Sequence, residues 1–229
     1  APEVLQDMLE AASRASTCGN MQLYSLIVTQ SRELREALAP CHFNQPMVTQ
    51  APCVITVCAD VHRFSMWCEQ RDAEPCYDNF AWFLNGVTDA LLAAQNLCVE
   101  AEAHGLGICY LGTTIYTAEE IARILDLPKG VIPVTTIVVG HPDESPELTD
   151  RLPLEGVVHY EKYTDYTAAE IDELWAEREE SELTKRLLEE NGLPNLAQVF
   201  TQRRYVRKDN LAISNSYFAL LKEKGFFNN

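Results

Sequence analysis

The chain has 229 residues, 47% of them hydrophobic, and its 34 acidic and 18 basic side chains give a formal net charge of −16. This length fits one domain, or one domain with extensions, and can bury a substantial core. The negative charge argues against nucleic acid and anionic membrane surfaces as partners, because both would repel it. No apolar run is long enough for a membrane span and no signal peptide is visible, so we expect a cytoplasmic protein.

The first elements are a helix and a strand joined by a small polar loop. Residues 4–15 place apolar side chains at helical spacing, and residues 24–28 are rich in β-branched and aromatic side chains, which predicts a strand. A loop with many hydrogen-bond donors and little bulk suits a flat polar ligand such as a flavin. A plain connecting turn is the alternative. The loop sequence is Ala15-Ser16-Thr17-Cys18-Gly19-Asn20-Met21-Gln22.

The middle of the chain predicts a buried strand followed by a long buried helix. Residues 54–59 form a continuous apolar run shortly after Pro52, as in strands covered on both faces. Residues 62–77 have mixed polarity and predict an irregular segment. Residues 78–104 predict a helix that is apolar nearly all round and therefore buried on several sides. Gly105 is well placed to end this helix.

Two further strands enclose a short helix. Residues 108–111 and 131–139 predict the strands, and Thr117 is the expected cap of a helix that ends near residue 127. The alternation of helices and strands indicates an α/β or α+β sandwich in which helices cover a central sheet. The C-terminal residues 155–229 contain only predicted helices. We interpret them as an arm or cap rather than a second domain.

Two helices are predicted in this C-terminal segment. Residues 168–191 predict a charged, solvated helix with an acidic excess, and residues 211–224 predict an amphipathic helix.

The eight cysteines are scattered, and none forms a Cys-x-x-Cys pair. A chain with this much core does not need disulfides, so we do not expect a disulfide framework. The alternative is a zinc site, but its spacing matches no common pattern. We therefore predict no metal centre. The residues of that alternative are Cys41, His42, Cys68 and Cys76.

Five segments, in their order and spacing, resemble the FMN-dependent nitroreductase family, and within it the NADPH-dependent nitroreductase and flavin reductase branch. The resemblance covers nearly the whole chain. The segments are residues 16–22, Asn44-Gln45-Pro46-Met47-Val48, Ala93-Ala94-Gln95-Asn96, residues 105–112, and Gly140-His141-Pro142 followed by Arg151-Leu152-Pro153.

This resemblance implies an α+β fold with a central, mostly antiparallel sheet flanked by helices. It also implies a homodimer that binds flavin between its subunits, so that the partner covers an apolar face of the long helix. Residues 1–154 would be the flavin-binding core. Residues 155–229 would be a helical extension of the same domain that wraps around the dimer partner.

The resemblance also assigns cofactor-binding residues. The polar loop would border one side of the flavin from the partner subunit, and the turn after residue 111 would offer backbone N–H groups to N5 and O4 of the ring. Arg151 would bind the phosphate, with a surface ion pair as the alternative. The set is Ser16, Thr17, Cys18, Gly19, Asn20, Gln22, Gln45, Tyr110, Leu111, Gly112, Thr113 and Arg151.

The implied activity is hydride transfer from NADPH or NADH through FMN to a flat acceptor such as a nitroaromatic, a quinone or free flavin, in a ping-pong cycle. Because the flavin carries the chemistry, we nominate no catalytic side chain. The alternative is a flavin- or small-molecule-binding dimer without turnover. It arises because the family's phosphate-binding Arg-Ser-x-Arg motif is not found in this sequence.

Two features leave alternatives open. Arg203 and Arg204 belong to a basic cluster that is unusual in so acidic a chain. They would bind the 2′-phosphate of NADPH, or else form salt bridges with the acidic helix or across a dimer. Trp67 or Trp82 would line the substrate side of the flavin, or else fill the core or an interface.

Overall fold

The computed structural model describes residues 1–228, which form two compact units. The first unit contains residues 1–143 together with the C-terminal residues from 213 onward, and the second contains residues 144–212. The only sheet among the described residues lies in the first unit.

Four strands form this sheet: β1 (Tyr24–Thr29), β2 (Cys53–Asp60), β3 (Gly107–Leu111) and β4 (Val131–Gly140). Their order is β1-β2-β4-β3, and every neighbouring pair is antiparallel. All eight residues of β2 are buried, as its continuous apolar sequence predicted. The expected α+β fold with an antiparallel sheet is therefore confirmed. The two edge strands are β1 and β3.

The helices of the first unit surround this sheet, and the longest of them organises the core. This helix, α5, contacts both α1 and the sheet through small and aliphatic residues that are inaccessible to solvent, namely Ala90, Ala93, Ala94 and Leu97. The helices are α1 (Pro2–Ser13), α2 (Arg32–Leu38), α3 (Pro46–Gln50), α4 (His62–Glu69), α5 (Phe80–Ala103) and α6 (Ala118–Ile124).

The ends of α5 match the sequence prediction. The side chain of Asn79 accepts a hydrogen bond from the N–H of Trp82 and caps the first turn. Gly105 has φ +71° just beyond the last turn, a conformation that favours glycine.

The burial of α5 is less complete than the sequence predicted. In the single chain, one stripe of the helix is exposed although it is largely apolar. It contains Leu84, Leu91, Leu92 and Val99, which are 48%, 43%, 44% and 57% exposed.

Three local predictions are corrected. Residues 62–77 are not irregular throughout, because α4 occupies 62–69 and buries Cys68. Thr117 stands at the start of α6, but its hydroxyl donates to the carbonyl of Cys41 at 2.7 Å and does not cap the helix. The acidic segment 168–191 is two helices rather than one.

The second unit is helical and contains that acidic segment. Ser181 has an extended backbone and its hydroxyl accepts from the N–H of Thr184, so a new helix begins there. The helices are α7 (Ala168–Glu180), α8 (Glu182–Asn191) and α9 (Leu196–Val199), followed by a π-helical turn (Phe200–Arg204) and by α10 (Arg207–Glu223), which ends among residues of the first unit. Within residues 1–228, no helix is both long enough and apolar enough to cross a membrane.

Candidate functional site

The polar loop before β1 is held from inside by a buried carboxylate. Asp89 on α5 is 2% exposed, and its two oxygens accept hydrogen bonds from the N–H of Cys18 at 2.8 Å and of Leu23 at 3.0 Å. Hydrogen bonds to an ionised acceptor are roughly twice as strong as neutral ones. The sequence alone predicts no role for Asp89. The available signal was an acidic residue inside the most apolar part of a long helix.

The loop has an unusual backbone. Gly19, Asn20 and Gln22 have φ of 55°, 56° and 54°, in the left-handed region that only glycine adopts without cost. The side chain of Gln22 donates to the carbonyl of Asn20 at 3.0 Å. Ser16, Gly19, Asn20 and Gln22 are exposed, and Thr17 and Cys18 are half-buried. Polar groups and strained backbone therefore occur together at an accessible place, as in many binding sites.

A second charged side chain contacts the C-terminal end of this loop. The guanidinium of Arg63 on α4 donates to the carbonyls of Gln22 and Tyr24, the latter at 3.2 Å. It also lies 3.6 Å from the carboxylate of Asp60, which in turn accepts a hydrogen bond from Ser25. The N–H groups of Cys18 and Leu23 thus donate to an anion, and the carbonyls of Gln22 and Tyr24 accept from a cation.

The turn after β3 is held by neutral groups. The buried hydroxyl of Thr114 donates to the carbonyl of Leu111 at 2.8 Å and lies 3.0 Å from the hydroxyl of Thr136. At Gly112, an added Cβ would meet no heavy atom within 4 Å. The chain's own packing therefore leaves open space beside the backbone of Gly112, where a flat ring can approach closely.

His42 connects this turn to the segment that precedes α3. Its ring is fully buried, and Nδ1 lies 2.8 Å from the hydroxyl oxygen of Thr113. Burial lowers the pKa of His42 to about 4, so the ring is neutral at neutral pH. Three residues later, Gln45 stands partly exposed at the start of α3. The structure thus places Gln45 in the segment that packs beside the turn.

The side chain of Tyr110 leaves β3 on the face that packs toward α5, not on the face where Leu111 packs. Its side chain packs against the core around α5, where burial and a hydrogen bond with Cys98 raise its pKa. Of the residues that the resemblance assigns to ring contacts, Tyr110 therefore has its partly buried phenol packed against the core.

The loop and the turn lie at opposite edges of the sheet. The loop leads into β1, the turn follows β3, and both β2 and β4 lie between them. Three inter-strand spacings amount to about 14 Å. One chain therefore groups Gln45 with residues 111–113 and does not bring residues 16–22 next to them.

The predicted phosphate ligand belongs to the second unit and bonds locally. The guanidinium of Arg151 is exposed and donates to the hydroxyl of Thr149 at 2.7 Å and to the carbonyl of Asp150 at 2.8 Å. The carboxylate of Asp150 pairs with Arg178 at 3.4 Å.

The basic cluster is also in the second unit. The guanidinium carbon of Arg204 lies 5.7 Å from the centre of the Phe200 ring, and both Arg203 and Arg204 are exposed. Within residues 1–228, no ion pair connects either arginine with the acidic helices.

The remaining sequence candidates lie elsewhere in the first unit. Trp82 packs edge-on against Tyr77 with ring centres 4.7 Å apart, and Trp67 is 53% exposed and lies 5.3 Å from Phe64. Among the described residues, no three histidine, cysteine or acidic side chains lie close enough together to hold a metal ion.

Comparison with known proteins identifies the family. The model of the Nitroreductase family matches residues 1–141. A Bacillus subtilis protein named FMN reductase (NADPH) is 32% identical over 163 residues, which are 70% of this chain and 66% of that relative, so the match spans slightly less than two thirds of its length.

Solved structures agree with this match. A Bacteroides fragilis protein provisionally described as an oxidoreductase is 50% identical, with a TM-score of 0.98 over 100% of this chain and 93% of that chain. The NfrA1 nitroreductase of Bacillus subtilis is 27% identical, with a TM-score of 0.81 over 100% and 92% of the two chains. The chain belongs to the nitroreductase family.

Proposed function

We propose that this protein is an FMN-dependent oxidoreductase that takes a hydride from NADPH or NADH and reduces flat acceptors such as nitroaromatics, quinones or free flavin. The observation that carries the proposal is the open backbone of Gly112, next to Thr113 whose hydroxyl meets His42, at the place where the family resemblance positions the flavin ring. The name of the Bacillus subtilis relative, FMN reductase (NADPH), supports the same chemistry. When bound, FMN would supply the hydride acceptor and donor.

The chain's own residues bind and orient the flavin. Gly112 lets the ring approach backbone N–H groups, and the exposed amides and hydroxyls of the loop offer donors to its polar edge. A guanidinium fork suits a phosphate, which is the role we propose for Arg151. The proposed contacts are Ser16, Thr17, Cys18, Gly19, Asn20, Gln22, Gln45, Tyr110, Leu111, Gly112, Thr113 and Arg151, with Tyr110 contributing main-chain atoms.

We propose a homodimer in which the loop of one subunit meets the turn of its partner. Two observations support it. The loop and the turn lie at opposite edges of the sheet, and α5 exposes a largely apolar stripe that a monomer would leave in water. A two-fold axis would bury both copies of the stripe and complete two equal sites.

The dimer is tested with Leu92→Glu, which places a charge in the centre of the stripe. We expect a monomer in analytical ultracentrifugation and loss of FMN binding. Gln70→Glu, at an exposed position of the C-terminal end of α4, is the control for added charge. A Leu92→Glu protein that remains dimeric would contradict this use of α5.

Three further features belong to the same proposal. Residues 1–154 form the flavin-binding core, and residues 155–229 extend it as an arm around the partner. Arg203 and Arg204 bind the 2′-phosphate of NADPH, which gives a lower KM for NADPH than for NADH. A cytoplasmic location agrees with eight cysteines that are all free thiols.

The deciding experiment is a visible spectrum of the purified protein with FMN, before and after anaerobic addition of NADPH. Bound flavin that is bleached by NADPH supports the proposal. Bound flavin that keeps its colour supports the alternative of a binding dimer without turnover. Protein that cannot be reconstituted with FMN contradicts the proposal.

A further inference from the structure

We propose that Asp89 and Arg63 are positioning residues for the loop of residues 18–23: they fix the loop shape on which flavin affinity depends. The inference rests on the proposed function for its link to flavin. Neither side chain is among the proposed flavin contacts, and they reach the loop from two different helices, α5 and α4.

Asp89 acts at two points of the loop simultaneously. Its Oδ1 holds the N–H of Cys18 and its Oδ2 holds the N–H of Leu23, so one buried side chain connects residues five positions apart. An aspartate carboxylate offers an acceptor at each of its two oxygens. In asparagine, one of these positions becomes an NH₂ group, which would face a backbone N–H and repel it.

The backbone of the loop explains why such a device is needed. Asn20 and Gln22 adopt left-handed backbone conformations, which are costly for residues with a Cβ. A chain in this shape cannot satisfy its buried N–H groups with a regular ladder, and a buried N–H without a partner is unfavourable. The carboxylate of Asp89 accepts from those groups and so stabilises this shape over alternatives.

Arg63 completes the arrangement from the other side. Its guanidinium donates to the carbonyls of Gln22 and Tyr24, so it holds the last left-handed residue where the loop enters β1. Asp60 keeps the guanidinium in place through an ion pair at 3.6 Å. Because the Arg63 side chain is 56% exposed, its contribution is expected to be smaller than that of the buried Asp89.

The test combines two variants with a control. We expect Asp89→Asn to raise the dissociation constant for FMN about tenfold, and Arg63→Gln about threefold, since hydrogen bonds to charged groups are strong when buried. At saturating FMN, kcat with NADPH should stay within about twofold of wild type, because neither residue touches the reacting atoms. Leu97→Val, a buried change on α5 away from the loop, should lower stability and leave the FMN dissociation constant unchanged.

Amide hydrogen exchange gives a readout that needs no flavin. The N–H groups of Cys18 and Leu23 should be protected in the wild type and lose this protection in Asp89→Asn, while Leu97→Val retains it. If Asp89→Asn does not fold, Arg63→Gln tests the same loop from the solvent side.

The outcomes separate the two proposals. A wild type that binds no FMN contradicts the proposed function, and hydrogen exchange then still decides whether Asp89 holds the loop. A wild type that binds FMN, with variants of unchanged affinity, overturns the positioning role alone. An equal loss of affinity in Leu97→Val would also overturn it, because the effect would then follow from stability.

Discussion

The loop before β1 and the turn after β3 carry most of the proposed flavin contacts, but the chain secures them by different chemistry. The loop has a left-handed backbone and is held by the buried charge of Asp89 and by the cation of Arg63. The turn continues a strand whose register already orients it, and neutral groups suffice there, namely the Thr114 hydroxyl and the His42 ring.

The difference between the loop and the turn indicates where this fold needs a buried charged side chain. The end of a strand is positioned by the hydrogen bonds of the sheet. One further donor, here the Thr114 hydroxyl, is then enough to satisfy the last carbonyl, that of Leu111. A loop without a ladder has several amides to satisfy at once, and a carboxylate with two oxygens does this with one residue. Two anchors thus differ in kind: Asp89 and Arg63 hold the loop by charge, and Thr114 and His42 hold the turn as neutral groups.

Acid should weaken the neutral anchor of the turn. His42 has a pKa of about 4 in the folded protein, against about 6.5 in the unfolded chain. Between these values the unfolded chain binds a proton that the folded protein does not, so the stability contributed by neutral His42 is lost as pH falls from 6.5 to 4. We expect a loss of about 3 kcal/mol, measured by urea unfolding across this range.

His42→Gln is the matched variant, because glutamine keeps a polar partner for Thr113 and does not titrate. Its free energy of unfolding should depend less steeply on pH between 6.5 and 4. An identical pH dependence in both proteins would show that His42 is not the titrating group.

Adding a side chain at Gly86, where α5 packs closely against the end of the loop, should also lower the free energy of unfolding. At Gly86 on α5, a Cβ would lie 3.1 Å from the Cβ of Ala59 and 3.2 Å from the carbonyl oxygen of Leu23. Gly86→Val should therefore lower the free energy of unfolding by about 2 kcal/mol and weaken FMN binding. Ala103→Val, at the exposed last residue of the same helix, should change stability by less than about 0.5 kcal/mol. Equal effects of the two variants would argue against this close approach.

Removing the Thr114 hydroxyl beneath the turn should lower the free energy of unfolding by a smaller amount. Thr114→Val leaves the carbonyl of Leu111 and the hydroxyl of Thr136 without this partner inside the protein. We expect a loss of about 1.5 kcal/mol in chemical unfolding. Thr201→Val is the control. It removes an exposed hydroxyl that donates to the carbonyl of Ala197, and its free energy of unfolding should fall much less. A stable Thr114→Val protein would mean that water replaces the hydroxyl.

The smallest effect on stability is expected at the open backbone of the turn. Gly112→Ala adds a methyl group that meets nothing within 4 Å, so the free energy of unfolding should change by less than about 0.5 kcal/mol. The dissociation constant for FMN should nevertheless rise about tenfold, because the methyl group occupies space that we assign to the flavin ring. Unchanged affinity at unchanged stability would place the ring elsewhere.

Much of the architecture could be predicted from local patterns. The four strands and α5 appear within one or two residues of their predicted bounds, because continuous apolar runs and a glycine at the helix end are local signals. The segment that became α4 was missed because its mixed polarity gives only a weak helical period. The break at Ser181 was missed because an acidic, solvated sequence has no apolar face to show where one helix ends.

The site was predictable only in part. Its loop and turn were found from composition and from the family resemblance, and whether they bind flavin stays a prediction. Asp89 and His42 were not found, because each acts on a residue 71 positions away in the sequence. Thr117 was expected to cap its own helix, and the nearby carbonyl of Cys41 proved the stronger competitor for its hydroxyl.

Periodicity, charge and motif spacing are properties of short stretches of chain, so most local elements, the acidic character and the family of this protein were predictable from its sequence. The tertiary structure decided the strand order β1-β2-β4-β3, which puts the loop and the turn at opposite edges, and the burial of one carboxylate beneath the loop. Strand order and buried partners depend on packing between distant segments, and only the folded chain brings those segments together.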